Sequence, residues 1–251
     1  MDRVTIYAER QGNGPVVVWT HGFASSGHMF ASTAAALRDD HTVVTWDLPG
    51  HGRSVVPKRS DEFTPERTIG HLVDLIDAAG AERAVLGGHS LGGYLSLLFA
   101  LEYPDRVAAL ILVGTGPGFR KDDGRTQWNE MCEGFARDLD THGLAGLTGS
   151  PERRDGIHQD GAEGLMLAAR HLLPQRDGCV IDGLAMIDVP ALVVVGDRDR
   201  QFLASSSYLA AKLPGAGGEP VVVSDCGHAP PISQPEAFVS SVRTFLRSHA
   251  L

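Results

Sequence analysis

The heptapeptide from Gly87 to Gly93, Gly-Gly-His-Ser-Leu-Gly-Gly, constrains the fold of this chain more than any other stretch. It follows the run 83–86, which predicts a short buried strand, and it precedes the run 94–100, which predicts a helix. Glycines on both sides of a serine relieve crowding in a sharp turn from strand to helix, so that the hydroxyl is held at the tip. The sequence therefore predicts Ser90 as a nucleophile. Because such matches also occur by chance, the rest of the chain must supply a base, an acid and an oxyanion site.

Strand and helix patterns alternate on both sides of this turn. β-rich or apolar runs predict further strands at 4–7, 16–19, 42–46, 107–113, 189–195 and 220–223. The first two are joined by a turn rich in Gly, Asn and Pro and are expected to form a hairpin. Helices are expected at 31–37, around Ile69 to Ile76, at 202–213 and near the C-terminus. This alternation predicts a mostly parallel α/β sheet flanked by helices, and sites in such sheets lie beyond the carboxyl ends of the strands.

The alternation breaks between Pro117 and Met186. Apolar residues at helical spacing predict helices here, with Trp128, Met131, Phe135 and Leu139 in one stripe and Leu165, Ala169 and Leu172 in a second patch. We expect residues 117–186 to be a helical lid inserted after the sixth strand. Residues 1–116 and 187–251 would then form the α/β core.

Composition excludes several classes of protein. The 251 residues, 43% of them hydrophobic, suffice for one core with an insertion, and a net charge of −9 without any basic run argues against nucleic acid and membrane surfaces as partners. The first ten residues lack the apolar region of a signal peptide, and no apolar run approaches the length of a bilayer span, so we expect a cytoplasmic protein. The three scattered cysteines, Cys132, Cys179 and Cys226, predict neither disulfides nor a zinc site.

The base for Ser90 is predicted to be His228, one of eleven histidines. It follows the strand at 220–223, so it would lie at the carboxyl edge of the sheet, and the pKa of histidine suits proton transfer near neutrality. The side chain of His89 should point away from that of its neighbour Ser90, and His21 is expected to shape a loop. A surface histidine is the alternative interpretation of His228.

The acid that orients the base is expected directly after the strand at 189–195, where Asp197 and Asp199 follow each other closely. Asp199 is the better candidate, because its position further along the turn lets it reach across the strand ends. In the ordinary interpretation, Asp197 caps the turn and Asp199 pairs with Arg198 or Arg200.

With these residues in the order serine, acid, histidine, the chain resembles the α/β-hydrolase superfamily, in its serine-nucleophile branch with a lid. His21-Gly22-Phe23 is similar to the oxyanion loop of that family, and the segments 47–54 and 227–238 are similar to two further family motifs. The resemblance implies that the backbone N–H groups of Phe23 and Leu91 stabilise the oxyanion of a tetrahedral intermediate.

The same resemblance implies a serine hydrolase that cleaves a small carboxylic ester or a related acyl substrate through an acyl-enzyme on Ser90, without a metal or other cofactor. A serine at this position argues against dehalogenases and epoxide hydrolases, which use aspartate. The segment 116–120 is similar to the start of the lid in menaquinone-pathway enzymes that eliminate pyruvate. A lyase or a carbon–carbon bond hydrolase is therefore the alternative, and a non-catalytic ligand-binding protein is a third.

Contacts with a small-molecule substrate are expected from five residues, which are His21, Trp128, Phe135, Arg120 and Arg125. The aromatic stripe could instead dock the lid on the core. Seven basic residues of the segment could clamp a carboxylate or face solvent, namely Arg120, Lys121, Arg125, Arg153, Arg154, Arg170 and Arg176. The sequence does not indicate an oligomeric state.

Replacing Ser90 by Ala removes the predicted nucleophile and should abolish turnover of an activated ester such as a p-nitrophenyl ester. The release of p-nitrophenolate measures this turnover. Retention of activity in the variant would reject Ser90 as the nucleophile.

Overall fold

A computed structural model describes residues 4–147 and 159–251. The strands are β1 (Ala8–Gln11), β2 (Val16–Thr20), β3 (Thr42–Trp46), β4 (Ala84–His89), β5 (Val107–Val113), β6 (Ala191–Gly196) and β7 (Val221–Val223). They form one sheet in the order β1-β3-β2-β4-β5-β6-β7. Only the pairing of β1 with β3 is antiparallel. The mostly parallel sheet predicted from the sequence is therefore confirmed.

Helices connect the strands and cover both faces of the sheet. The α-helices are α1 (Ala31–Leu37), α2 (Pro65–Ala78), α3 (Leu91–Glu102), α4 (Asp122–His142), α5 (Glu163–His171), α6 (Cys179–Gly183), α7 (Leu203–Lys212), α8 (Pro230–Ser233) and α9 (Pro235–Ser248). Short 3₁₀ turns supplement them, as at Gly27–Phe30 and Ser60–Phe63. No helix in the described ranges combines the length and the apolar character that a bilayer span requires.

The expected hairpin at the N-terminus is wrong. The first strand is Ala8–Gln11, not residues 4–7, and it pairs with β3 rather than with β2. Residues 4–7 instead bond to the loop after β3, where Tyr7 O accepts the Asp47 N–H at 2.9 Å and Thr5 O accepts the Val55 N–H at 3.1 Å. Local propensity indicated extended chain here, but the choice of neighbour depends on contacts distant in sequence.

Apolar side chains fill the space on both faces of the sheet. One cluster lies between the sheet and helices α2, α3 and α7, and it includes Leu86, Leu95 and Leu110. The other lies beneath α1 and α9. At its centre the Trp19 ring stacks on Phe30 with centroids 4.7 Å apart and meets Phe238 edge-on at 5.8 Å. The last helix is thereby anchored to the middle of the sheet.

The helical segment 117–186 lies between β5 and β6 and contains α4, α5 and α6. It follows the fifth strand, not the sixth as expected, because the strands that precede it are β1 to β5. Its described part contacts the core through polar groups, since Gln159 Oε1 accepts the Gly52 N–H at 2.8 Å and Arg176 pairs with Glu66 at 3.7 Å. Apolar side chains also dock it on the core, as where Leu139 and Leu165 cluster with Ala24.

Replacing Phe238 by Ala should lower the free energy of unfolding by about 3–5 kcal/mol, because it leaves a cavity beside Trp19. Urea denaturation followed by tryptophan fluorescence measures this loss. Met186→Ala is the control, since that side chain is 74% exposed and its removal should change stability by less than about 0.5 kcal/mol. An equal effect of the two substitutions would contradict the assignment of Phe238 to the core.

Candidate active site

Ser90 occupies the sharp turn between β4 and α3, with backbone angles φ 51° and ψ −115°. A positive φ at a residue with a side chain costs roughly 1–3 kcal/mol, and the surroundings enforce it here. The Ser90 N–H donates to Val113 O at 2.9 Å, and the Thr115 hydroxyl donates to Ser90 O at 2.7 Å. A Cβ at Gly92 would lie 2.1 Å from Thr20 O, so the turn tolerates only glycine there. The strained turn expected from the heptapeptide is present.

Asp199 and His228 form a hydrogen-bonded pair at the same edge of the sheet. His228 Nδ1 lies 2.7 Å from Asp199 Oδ2, and the aspartate side chain is 4% exposed. Because the carboxylate accepts from Nδ1–H, the neutral imidazole keeps the lone pair on Nε2, as a general base requires. The ring of Phe202 stacks on His228 with centroids 4.7 Å apart. The structure thus brings together the two residues predicted as acid and base.

Asp197 has a separate task in the turn that precedes His228. Its carboxylate accepts the N–H groups of Asp225 at 3.0 Å and Cys226 at 2.9 Å. These hydrogen bonds lower the pKa of Asp197. The two aspartates, which the sequence left as alternatives, therefore have different contacts. Asp197 orders the turn that contains Asp225 and Cys226, and Asp199 binds the imidazole of His228.

Two contacts that sequence reasoning missed hold His228 in place. The buried His89 donates from Nε2 to the carbonyl oxygen of His228 at 3.0 Å, and burial holds the pKa of His89 well below its usual range. Gly114, with φ 51°, approaches so closely that a Cβ there would lie 2.9 Å from His228 O and 3.1 Å from Nδ1. The only sequence signals were a histidine next to the nucleophile and a glycine directly after β5.

The loop after β2 packs directly against Ser90. A Cβ at Gly22 would lie 3.2 Å from the Cβ of Ser90. His21 is fully buried, donates from Nδ1 to Gly22 O at 2.6 Å and accepts the Leu48 N–H on Nε2 at 2.9 Å. Since both nitrogens bind backbone, His21 shapes this loop and does not line the cavity above Ser90. Leu91 begins α3, where the first N–H groups have no partner within the helix.

The loop after β3 is a structural support for the site. The carboxylate of buried Asp47 accepts the Gly27 N–H at 2.7 Å and the Arg53 N–H at 2.8 Å. His51 packs its ring 5.2 Å from that of His21 and 5.8 Å from that of Phe23. Burial lowers the pKa of His51 to about 3 and that of His21 to about 4, so both rings are neutral.

A cavity of about 310 Å³ opens above Ser90. From the core it is lined by Ser90, Leu91, Tyr94, Thr115, Phe202 and Ser205, and from the helical segment by Phe119, Trp128, Leu173 and Gln175. Both parts of the chain therefore contribute to one pocket.

Of the five expected substrate contacts, only Trp128 lines this cavity. Phe135 stacks on Phe23 instead, with centroids 5.9 Å apart, because it lies two turns further along α4. Arg120 pairs with Asp182 at 2.7 Å, and Arg125 donates to the carbonyl groups of residues 119 and 120. Arg153 and Arg154 lie outside the described residues.

Comparisons with known proteins agree with this geometry. The model of the alpha/beta hydrolase fold family matches residues 15–154. A pimeloyl-[acyl-carrier protein] methyl ester esterase of Chromobacterium violaceum is 30% identical over 98% of this chain and its whole length. A putative 2-succinyl-6-hydroxy-2,4-cyclohexadiene-1-carboxylate synthase of Bacillus subtilis is 26% identical over 98% of this chain and 95% of its own.

A solved structure of a thermophilic esterase from Thermogutta terrifontis superposes with a TM-score of 0.82, at 28% identity over 97% of this chain and 93% of the other. The structure of MenH from S. aureus shares the fold, with a TM-score of 0.86 at 22% identity over both complete chains. The chain belongs to the α/β-hydrolase family. The prediction of an α/β-hydrolase enzyme of the ester-hydrolase type is confirmed.

Gly114→Ala should lower kcat for an activated ester roughly 100-fold, because its methyl group displaces His228 from Asp199. Gly80→Ala is the matched control: it also places alanine at a positive φ, 78°, but nothing lies within 4 Å of the new methyl group. Steady-state kinetics and circular dichroism of both variants separate catalysis from backbone strain. Equal activities would contradict the positioning role of Gly114.

Acid should destabilise the fold below about pH 6.5. His21 and His51 have pKa values of about 4 and about 3 in the fold, so the unfolded chain binds more protons between those values and 6.5. Stability therefore falls as the pH decreases through this window, by about 2 kcal/mol for each histidine at pH 5.

Urea unfolding at pH 8 and pH 5 measures the loss. In His51→Gln, which removes a buried titrating ring, the difference between the two pH values should shrink by about 2 kcal/mol. His28→Gln, at an exposed position, serves as the control and should leave the difference unchanged. An unchanged pH dependence in His51→Gln would contradict the assignment.

Proposed function

We propose that the protein is a serine hydrolase that cleaves a small carboxylic ester, or a related acyl substrate, through an acyl-enzyme on Ser90. The observation that carries the proposal is the 2.7 Å contact of His228 Nδ1 with the buried Asp199, located beside a strained turn that presents Ser90 to a cavity. A serine held at an exposed turn, a base that takes its proton and a carboxylate that orients the base are the three elements that activate a serine hydroxyl.

The mechanism follows from these positions. Nε2 of His228 takes the Ser90 proton as Oγ attacks the ester carbonyl, and the resulting imidazolium is stabilised by Asp199. Collapse of the tetrahedral intermediate breaks the bond between the acyl carbon and the alkoxy oxygen, and His228 gives its proton to the leaving alcohol. A water molecule, deprotonated by His228, then attacks the acyl-enzyme. The bond from the acyl carbon to Ser90 Oγ breaks, His228 returns the proton to Oγ, and the carboxylic acid is released.

The developing oxyanion would accept hydrogen bonds from the backbone N–H groups of Phe23 and Leu91. Two features support this part of the proposal: the Gly22 backbone packs against Ser90, and the N–H of Leu91 belongs to the first turn of α3. A helix N-terminus carries partial positive charge, which favours an anion. One such donor contributes about 3–4 kcal/mol to catalysis.

Residues 117–186 would act as a lid over this site, with 1–116 and 187–251 as the core. The cavity supports this role, because the segment supplies Phe119, Trp128, Leu173 and Gln175 to its wall while the core supplies the nucleophile. The methyl ester esterase relatives support an ester as the small-molecule substrate.

A lyase that uses the same three residues is the second candidate, supported by the similarity to the Bacillus subtilis synthase. Both reactions begin with Ser90 and His228, so the positions of those residues do not separate them. The substrate of either reaction must fit the cavity above Ser90, so the residues of its wall bear on which reaction the protein catalyses.

Labelling by a fluorophosphonate probe tests the nucleophile. The wild-type protein should be modified at Ser90, as located by mass spectrometry of peptides, and Ser90→Ala should not react. Asp199→Asn should lower kcat for an activated methyl or p-nitrophenyl ester by roughly 10⁴, because the imidazole loses its orienting carboxylate.

Asp197→Asn is the matched control, since that carboxylate contacts the turn and not the imidazole. Its kcat should fall far less than that of Asp199→Asn. An unlabelled wild-type protein would reject the catalytic proposal in favour of a ligand-binding role, and labelling at another residue would reject Ser90.

A further inference from the structure

The wall of the cavity above Ser90 carries no charge. None of the described residues that line it is an Asp, Glu, Lys, Arg or His. Apolar groups form most of the surface, among them Leu91, Phe119, Trp128, Leu173 and Phe202. A carboxylate that enters such a pocket loses its hydration without gaining a partner.

Four described arginines of the helical segment are engaged elsewhere. Arg120 pairs with Asp182 at 2.7 Å, Arg170 with Glu133 at 3.3 Å and Arg176 with Glu66 at 3.7 Å. Arg125 donates to the backbone carbonyl groups of Phe119 and Arg120 at 2.8 and 2.9 Å. These contacts hold the segment together and to the core, and no described arginine lines the cavity wall.

Gln175 places an oriented amide on this apolar wall. Its backbone is clamped by Asn129, which accepts the Gln175 N–H at 2.8 Å and donates to the Gln175 carbonyl group at 2.9 Å. Its side-chain Oε1 accepts the Phe119 N–H at 3.1 Å, which determines the orientation of the amide. The amide nitrogen Nε2 makes no hydrogen bond within residues 4–147 and 159–251.

Three other polar groups of the wall are already committed as donors. The indole N–H of Trp128 donates to Leu173 O at 2.9 Å. The hydroxyl of Thr115 donates to Ser90 O at 2.7 Å, and that of Ser205 donates to backbone carbonyl groups. Gln175 therefore offers a rigidly held neutral donor to whatever occupies the cavity.

We infer that, on the proposed function, the enzyme selects esters whose acyl chain is uncharged and carries an oxygen acceptor, such as a keto group, that binds the side-chain amide of Gln175. A carboxylate at the position of this acceptor is rejected, because none of the described residues of the wall is a cation that could balance it. A purely aliphatic chain leaves the amide donor unpaired, which makes Gln175 a specificity-determining residue.

Three methyl esters with acyl chains of equal size test this inference: methyl 6-oxoheptanoate, methyl 6-methylheptanoate and monomethyl adipate. They place a ketone, a branched alkyl group and a carboxylate at the same distance from the scissile carbonyl group. Titration of the released acid in a pH-stat gives kcat/KM for each. The keto ester should exceed monomethyl adipate by at least about 100-fold, from the desolvation of the carboxylate.

Gln175→Met tests the amide, because methionine keeps the length of the side chain and lacks the donor. The ratio of kcat/KM for the keto ester to that for the alkyl ester should fall roughly 10-fold in this variant, the effect of one hydrogen bond. Gln201→Met is the matched control at another glutamine of the same cavity, one that is exposed. It should leave the ratio unchanged.

Two results would overturn the inference while the proposed function stands. One is an unchanged keto-to-alkyl ratio in Gln175→Met. The other is hydrolysis of monomethyl adipate within about 10-fold of the keto ester. If this second activity were lost on replacing Arg153 and Arg154 by Ala, those residues would be the carboxylate clamp.

Failure of the proposed function is recognised separately, as absence of turnover of all three esters. Selectivity is then measured as binding: each ester is added to the Ser90→Ala variant, and the shift in the melting temperature of the protein is recorded. The keto ester should give the largest shift, and equal shifts for the ketone and the carboxylate would overturn the inference.

Discussion

The hydrogen bond between Asp199 and His228 is the interaction on which the rest of the site depends. The two residues follow different strands, and three further residues hold them: Gly114 leaves space for the imidazole, Asp197 orders the turn before it, and His89 binds its backbone carbonyl group. Each contact is made at the carboxyl edge of one parallel sheet, where loops from neighbouring strands meet. The order of the strands thereby determines which side chains can act on Ser90.

Uncharged histidine rings lie around this hydrogen-bonded pair. Burial lowers the pKa values of His21, His51 and His89, so these rings support loops as uncharged hydrogen-bond partners. None of the described residues that line the cavity is charged either, although the chain as a whole carries a net charge of −9. Among the described residues, the buried carboxylates are Asp47, which orders the loop after β3, and Asp199, which an imidazolium would require. Weak screening in such surroundings strengthens the attraction between Asp199 and that imidazolium.

Sequence reasoning succeeded where local pattern and chemistry coincide. The strand before Ser90 and the helix after it were read from residues next to one another, and the positions of Asp199 and His228 followed from the ends of predicted strands. The prediction of an N-terminal hairpin was wrong, because β1 pairs with β3, whose residues lie more than thirty positions away in sequence. The substrate contacts expected from His21, Phe135, Arg120 and Arg125 were placed elsewhere, since residue type does not reveal which partner a long side chain meets.

By itself, then, the sequence determined the class of fold, the sharp turn at Ser90 and the candidates for acid and base, because periodicity, glycine spacing and the ends of strands are local properties of the chain. Only the tertiary structure decided which aspartate reaches His228, which loop glycine makes room for it and what lines the cavity. Those choices depend on distances between segments far apart in sequence. The amide of Gln175 is the clearest case. Its orientation depends on contacts with Asn129 and Phe119, and no pattern in the surrounding sequence predicts it.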